Sequence, residues 1–426
     1  VVASHLQQVL DDEALQNSVI REAKSAQQQV FILSFTNHVI APSCWNEALK
    51  CGNNTLVVRI WKGSARWWNL HCSHAHSEFN ECNTEPGVWL LARGEVSGYR
   101  LARKALRDAK VTIPQVLYFS HDSMECIDME PWAIMSYVGP QSCFFQDGRV
   151  VATDEWLNGM ITIRHEFGFE EPHPRWGRVP VDQCLDYCFH VLERFTIPMH
   201  RYFLDHCNED ILLSSCQAND NICTLKPRRY TDMIQLYKKA HEMMLQGISN
   251  KSDDEALTRI VQTLGQCIHK LQEDSVQNLP LVLCHMDCQP QNLIFYCQDN
   301  NTKPQLHSVL DWEEAAWADP RFELLLLCRK VCANRIQANT VWDLYTREMQ
   351  NVGQDFVVGP IDPWLQLETV HSITTLILQS MNLLNGGRSP WETKPDLLGK
   401  IEREFQRLEM MGWTFCNTIN LNREIQ

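Results

Sequence analysis

Two neighbouring stretches, VLCHMDCQPQNLIFY (282–296) and HSVLDWEEAAWADPRFELLLL (307–327), hold the densest chemistry in this chain. An apolar run ends at His285, Asp287 follows, and Asn292 comes five residues later. A second apolar run ends at Asp311, nineteen residues further on. Short apolar runs bounded by polar residues read as buried strands. Such strands hold their ends rigid, and acids placed there project into a cleft. Phosphoryl transfer needs few parts. An acid orients the acceptor hydroxyl and takes its proton, oxygen ligands hold magnesium on the nucleotide phosphates, and a cation neutralises them. An Asp-x4-Asn pair with a separate Asp on a neighbouring strand supplies that set.

Working upstream, VFILSF (30–35), LVVRIW (56–61), QVLYFS (115–120) and WAIMSY (132–137) are β-branched or aromatic-rich and bounded by turn formers. They are expected to be strands. A helix is expected over 88–110, and an amphipathic helix over 6–29 from the spacing of Leu6, Val9, Leu10, Val19 and Ile20. After Gly139-Pro140 the segment 141–181, rich in Pro, Gly and charge, reads as a long loop. Helical periodicity then dominates at 182–207, 228–247, 253–274, 320–350, 363–386 and 393–412, broken by strand-like runs at 279–285 and 306–312. The expected class is α+β, with a small β-rich lobe and a larger, mostly helical one. The expected divisions are a helical extension over 1–29, a nucleotide-binding lobe over 30–139, and a helical lobe over 140–426 with the catalytic loop and acceptor pocket.

The composition is that of a globular protein, with 44% hydrophobic and 21% charged residues. The formal net charge of -14 argues against a nucleic-acid partner. It favours a cationic acceptor, although acidic runs are usually solvated faces. The 18 cysteines are scattered singly, well below the ~8–10% of a disulfide scaffold. Buried free thiols in a reducing, cytoplasmic setting are expected. No apolar run approaches the ~18–20 residues needed to span a bilayer, so no membrane insertion is expected. The polar, acid-bearing first residues do not read as a signal peptide.

The order His285, Asp287, Pro290, Asn292 and then Asp311-Trp312-Glu313 resembles the aminoglycoside phosphotransferase and choline kinase group. Its members share a protein-kinase-like two-lobe fold. The resemblance implies ATP and Mg2+ as cofactors and a small-molecule hydroxyl acceptor. It implies Asp287 as the catalytic base, His285 as the residue holding the catalytic loop, and Asn292 and Asp311 as magnesium ligands. LVVRIWKG is similar to the group's nucleotide-lobe strand, which implies that Arg59 grips the phosphates and Glu95 is its ion-pair partner. Ser34, Thr36 and Asn37 look like the polar turn that stands in for a Gly-rich loop. Met135, Ser136, Tyr137 and Val138 look like the hinge that reads adenine. Asp319 stands where the group often has Gly-Asp-Pro. Glu323 takes the place of an Asp that braces the catalytic loop, on a longer arm.

Three functions compete at this stage. The first is an ATP-dependent kinase acting on a small molecule. The second is a catalytically inactive relative that binds a nucleotide or a protein. The intact Asp–Asn–Asp set speaks against it, because a scaffold has no physical need for three metal-handling groups. The third is a protein kinase, disfavoured by Asp-Trp-Glu in place of Asp-Phe-Gly. Two side clusters carry less. His71, Cys72, His74, His76 and Cys82 lack the spacing of structural zinc pairs. His200, Arg201, Asp205 and His206 read as a polar helix end.

Overall fold

The computed structural model describes residues 6–7, 9–10, 18–23, 29–35, 45, 48, 55–61, 87–120, 130–138, 144–146, 149–151, 181–206, 225, 227–249, 255–271, 276–288, 292–296, 305–330, 332, 335–351, 356–384 and 394–414. The chain opens with β1 (Ser18–Ala23), β2 (Gln29–Phe35) and β3 (Thr55–Ile60). The helix α1 (Gly87–Ala105) precedes β4 (Val116–Phe119) and β5 (Trp132–Ser136). The five strands form one antiparallel sheet in the order β1-β2-β3-β5-β4.

Alternation along β3 sorts its side chains between two environments. Leu56, Val58 and Ile60 are buried with Leu33, Trp132 and Ile134 on one face. Val57 and Trp61 pack with α1 on the other, and Arg59 shares their parity. On α1, Ala92, Val96, Tyr99 and Ala102 recur at helical spacing and are buried. Arg103 and Lys104 close its last turn, where positive charge suits the helix dipole.

The expected helix over 6–29 is not what forms. Leu10 N–H bonds to Leu6 C=O, giving a single turn whose leucines pack under the sheet. Residues 18–23 are a strand instead, paired from Ser18↔Phe35 to Ala23↔Val30. Val19 and Ile20 are 40% and 37% exposed on this edge strand. Their β-branched side chains suit an extended backbone better than a helix. The small-lobe sheet therefore begins at Ser18, inside the segment assigned to a helical extension.

A short hairpin follows, β6 (Phe144–Gln146) and β7 (Arg149–Val151). Then come α2 (Val181–Val191), a π-helical turn (Leu192–Thr196) and α3 (Ile197–His206). After β8 (Pro227–Arg228), α4 (Tyr230–Ser249) packs on α5 (Glu255–Leu271). The strands β9 (Val282–Cys284), β10 (Leu293–Tyr296) and β11 (Gln305–Val309) carry the chemistry-bearing loops. A 3-10 turn (Trp312–Glu314) and β12 (Ala316–Ala318) lead to α6 (Arg321–Lys330) and α7 (Arg335–Gln350). The helices α8 (Asp362–Leu384) and α9 (Lys394–Met410) pack together at the end. The periodic stretch 320–350 is thus two helices.

The protein-kinase-like arrangement is present: a small antiparallel lobe and a mostly helical large one. Strands β10 and β11 pair antiparallel, and β12 lies between β8 and β9. Two contacts tie the lobes beside the end of β5. Thr112 N–H donates to His307 C=O at 2.7 Å, and Ser308 Oγ lies 3.5 Å from Val138 C=O. The described cysteines are buried thiols. Among the described residues, no helix is long and apolar enough to cross a membrane.

Candidate active site

The loop leaving β9 is pinned from below. Glu323, buried on α6, accepts the backbone N–H groups of His285 at 2.6 Å and Met286 at 3.2 Å on one carboxylate oxygen. Met286 has φ 63°, a left-handed conformation that L side chains seldom adopt, so this double acceptor holds a reluctant backbone. The His285 ring joins two segments. Its Nε2–H donates to Leu310 C=O at 2.6 Å, and its Nδ1 accepts Asp287 N–H at 3.2 Å. Burial between Phe195 and Trp312 lowers the His285 pKa, which keeps the ring in the neutral form these two bonds require. Asn292 Nδ2–H donates to the Asp287 carboxylate at 2.8 Å and to its backbone C=O at 2.9 Å.

Asp311 follows β11 by two residues in the left-handed region, at φ 62°, and its N–H donates to the Tyr99 hydroxyl oxygen at 2.9 Å. From the small lobe, Arg59 reaches across to it. One guanidinium nitrogen meets Glu95 at 2.5 Å, and the other meets Asp311 at 2.8 Å and Glu313 at 3.6 Å. Burial works against the Arg59 charge, but Glu95 and Asp311 outweigh it and hold the guanidinium above the ordinary arginine range. Burial also pushes Glu95 up to about 8, against the pull of Arg59. The carboxylates of Glu95, Asp311 and Glu313 offer oxygens within 4.8 Å of one another, a hard donor set that suits a divalent cation.

Close approach of α1 makes this meeting possible. A Cβ on Gly98 would lie 2.9 Å from Ala315 Cβ and 3.1 Å from Trp312 Cβ. The helix therefore rests on the 3-10 turn, and Glu95 and Tyr99, one turn apart, both face Asp311.

The expected residues fall into three groups. Asp287, His285, Asn292, Asp311, Arg59 and Glu95 come together as two linked clusters, and Glu323 reaches the loop after β9. The Asp319 carboxylate holds Arg321 at 2.6–2.8 Å and accepts Leu279 N–H at 3.4 Å. Ser34 lies within β2 rather than in a turn. It pairs with Thr55, four residues from Arg59 along β3, and its Oγ sits 3.4 Å from the Thr55 hydroxyl. Thr36, Asn37 and the His71–Cys82 cluster lie outside the described residues. Of the residues expected at the hinge, Met135 is buried and Ser136 N–H is already engaged by Gln115 C=O at 2.8 Å. Tyr137 and Val138 follow at the end of β5. His200 is a core residue, bonded to the Tyr345 hydroxyl at 2.8 Å.

Two contributors escaped the sequence reading. Trp61 Nε1–H donates to Glu95 at 2.8 Å, and Tyr99 receives Asp311 N–H. The signal was present, since Trp61 follows Arg59 by two on a strand and Tyr99 follows Glu95 by four on a helix.

The loop, the Asp311 strand and the brace all lie in one matched segment. Residues 225–351 match the phosphotransferase enzyme family. This phosphotransferase match spans less than a third of the chain and bears out the resemblance carried by the catalytic motifs. It supports a small-molecule phosphotransferase. No curated protein matches the chain. Similar solved structures include the GDP and kanamycin complex of APH(2")-IIia, at 14% identity, covering 96% of this chain and 98% of that one, with a TM-score of 0.48. They also include the choline kinase LicA from Streptococcus pneumoniae, at 10% identity, 96% and 99% coverage and a TM-score of 0.45. An ethanolamine kinase from Plasmodium vivax aligns at 10% identity, 96% and 84% coverage and a TM-score of 0.44. Identities this low say nothing of the acceptor.

Proposed function

We propose that this chain is a cytoplasmic ATP-dependent kinase that moves the γ-phosphate to a hydroxyl of a small molecule. The observation that supports this most is the pairing of Asp287 with Asn292 on a loop that His285 ties to Leu310, the residue before Asp311. In this reading Asp287 orients the acceptor hydroxyl and takes its proton. The Asn292 amide keeps the Asp287 carboxylate turned toward the cleft. Asn292 and Asp311 are the residues that would hold Mg2+, and their oxygen donors fit a hard cation. When bound, the ion would neutralise charge on the phosphate oxygens. Arg59 would grip the phosphates, so the nucleotide must compete with Asp311 for it. Tyr137 and Val138 would offer backbone groups to the base. The acidic balance favours an acceptor that carries positive charge.

The test is phosphorus NMR of Mg-ATP with the protein and a pool of hydroxylated amines, sugars and amino alcohols. A new phosphate ester is expected, and Asp287→Asn should fail to make it while still binding Mg-ATP. A γ-phosphate that never leaves ATP, with tight Mg-ATP binding that Asp287→Asn leaves unchanged, would point to an inactive binding module. No Mg-ATP binding by calorimetry would remove the nucleotide reading altogether.

A further inference from the structure

Glu95 is held by two residues of the small-lobe sheet, through different oxygens. Its Oε1 meets Arg59 at 2.5 Å, while its Oε2 accepts the indole N–H of Trp61 at 2.8 Å. Trp61 is itself fixed on several sides. It is 1% exposed, its backbone N–H donates to Pro131 C=O at 2.9 Å, and its ring packs edge-on to Phe119 at 6.1 Å. The Arg59 guanidinium lies 5.6 Å from the indole centroid. An indole N–H can only donate, so it serves the second Glu95 oxygen and cannot compete with the carboxyl group for the guanidinium's protons.

We infer that Trp61 is a positioning residue that keeps Glu95 docked on the sheet independently of Arg59. The inference rests on the proposed nucleotide site and names a further member of it. Arg59 has two tasks that conflict: bridging Glu95 to Asp311, and turning to phosphate. When it turns, the carboxylate that must receive it again stays in place, because the second oxygen never let go. The helix α1 therefore does not have to be recaptured each time the nucleotide binds. The indole also gives the departing guanidinium an aromatic surface, a favourable neighbour for a planar cation.

Two variants separate the hydrogen bond from the bulk of the ring. Trp61→Phe keeps an aromatic body and removes the donor. Trp61→His keeps an N–H at nearly the indole position and removes most of the body. Mg-ATP affinity is measured by calorimetry at pH 8, where the introduced imidazole is largely neutral, with thermal melts on the same samples. The expected result is about tenfold weaker Mg-ATP binding in Trp61→Phe, the worth of one hydrogen bond to a charged group, with substantial recovery in Trp61→His. A purely structural Trp61 would give the reverse order, with His the worse in both melting and binding, and that outcome overturns the inference. Unchanged affinity in Trp61→Phe also overturns it. Failure of the wild-type protein itself to bind Mg-ATP would instead overturn the nucleotide site, and this inference with it.

Discussion

Glu323 shows how much one side chain can carry. A single carboxylate oxygen satisfies the buried N–H groups of a left-handed residue and of the residue before it. Glu323→Ala would leave both donors without a partner in a site too tight for easy repair. Each such loss is worth ~1–3 kcal/mol, so urea unfolding should report about 2–6 kcal/mol less stability. Glu323→Gln keeps an acceptor oxygen and should lose less. Arg59 is the second residue whose geometry makes a sharp expectation. Its two terminal nitrogens meet Glu95 and Asp311 separately, a fork that a single ammonium cannot copy. Arg59→Lys should therefore weaken Mg-ATP binding by roughly tenfold in calorimetry, about 1.4 kcal/mol, despite the conserved charge.

At the scale of elements, the contact between α1 and the 3-10 turn at Trp312 is where a small change should tell. Gly98→Ala improves helix propensity by about 1 kcal/mol. The new methyl would meet Cβ atoms anchored to backbone at 2.9 and 3.1 Å, so the helix must back away. Overpacking of this kind costs ~1–3 kcal/mol, and a lower melting temperature with weaker Mg-ATP binding is expected. The elements also show what a sequence reveals. The strands β2, β3, β4 and β5 and most helices were legible, because burial imposes a period that composition cannot hide. The edge strand β1 was not. Val19 and Ile20 are exposed, and this apolar pair merged into the helical spacing of Leu6, Val9 and Leu10. The three-residue β12 is too short to carry any period. In the site, Asp287, Asn292 and Asp311 were readable from order and spacing. Ser34 was expected in a turn because, with β1 missed, β2 read as the first strand and ended early. Trp61 and Tyr99 were passed over because their spacing from Arg59 and Glu95 shows only a shared face, and their part lies in contacts between elements.

Over the whole molecule, buried histidines tie stability to pH. Burial lowers His200 to about 3 and lowers His285 as well, so both are neutral when folded, while an unfolded histidine takes up a proton near pH 6.5. The folded-state values are depressed, so the stabilisation is present above pH 6.5 and is lost as pH falls below it. Each histidine contributes at most about 1.4 kcal/mol per pH unit. Melting temperature should drop between pH 7 and pH 5, and His200→Gln should flatten that slope. At the far end of the large lobe, Arg329 meets Glu404, which also holds Arg407 at 2.5 Å, joining α6 to α9 through buried charge. Arg329 also pairs with Glu368 on α8, so Glu404→Ala removes a shared carboxylate without stranding Arg329. It should lower the unfolding midpoint, at a cost below the ~3–5 kcal/mol of a fully broken buried pair. The two contacts beside the end of β5, from Thr112 to His307 and from Ser308 to Val138, set the mechanics of any opening. They act as a door-post on β11, the strand that runs on into Asp311. With β11 pinned at His307 and Ser308, a few degrees of rotation would act along the arm that runs from there to Asp311. There the arginine-to-aspartate gap becomes the natural gauge of how far the jaws have swung.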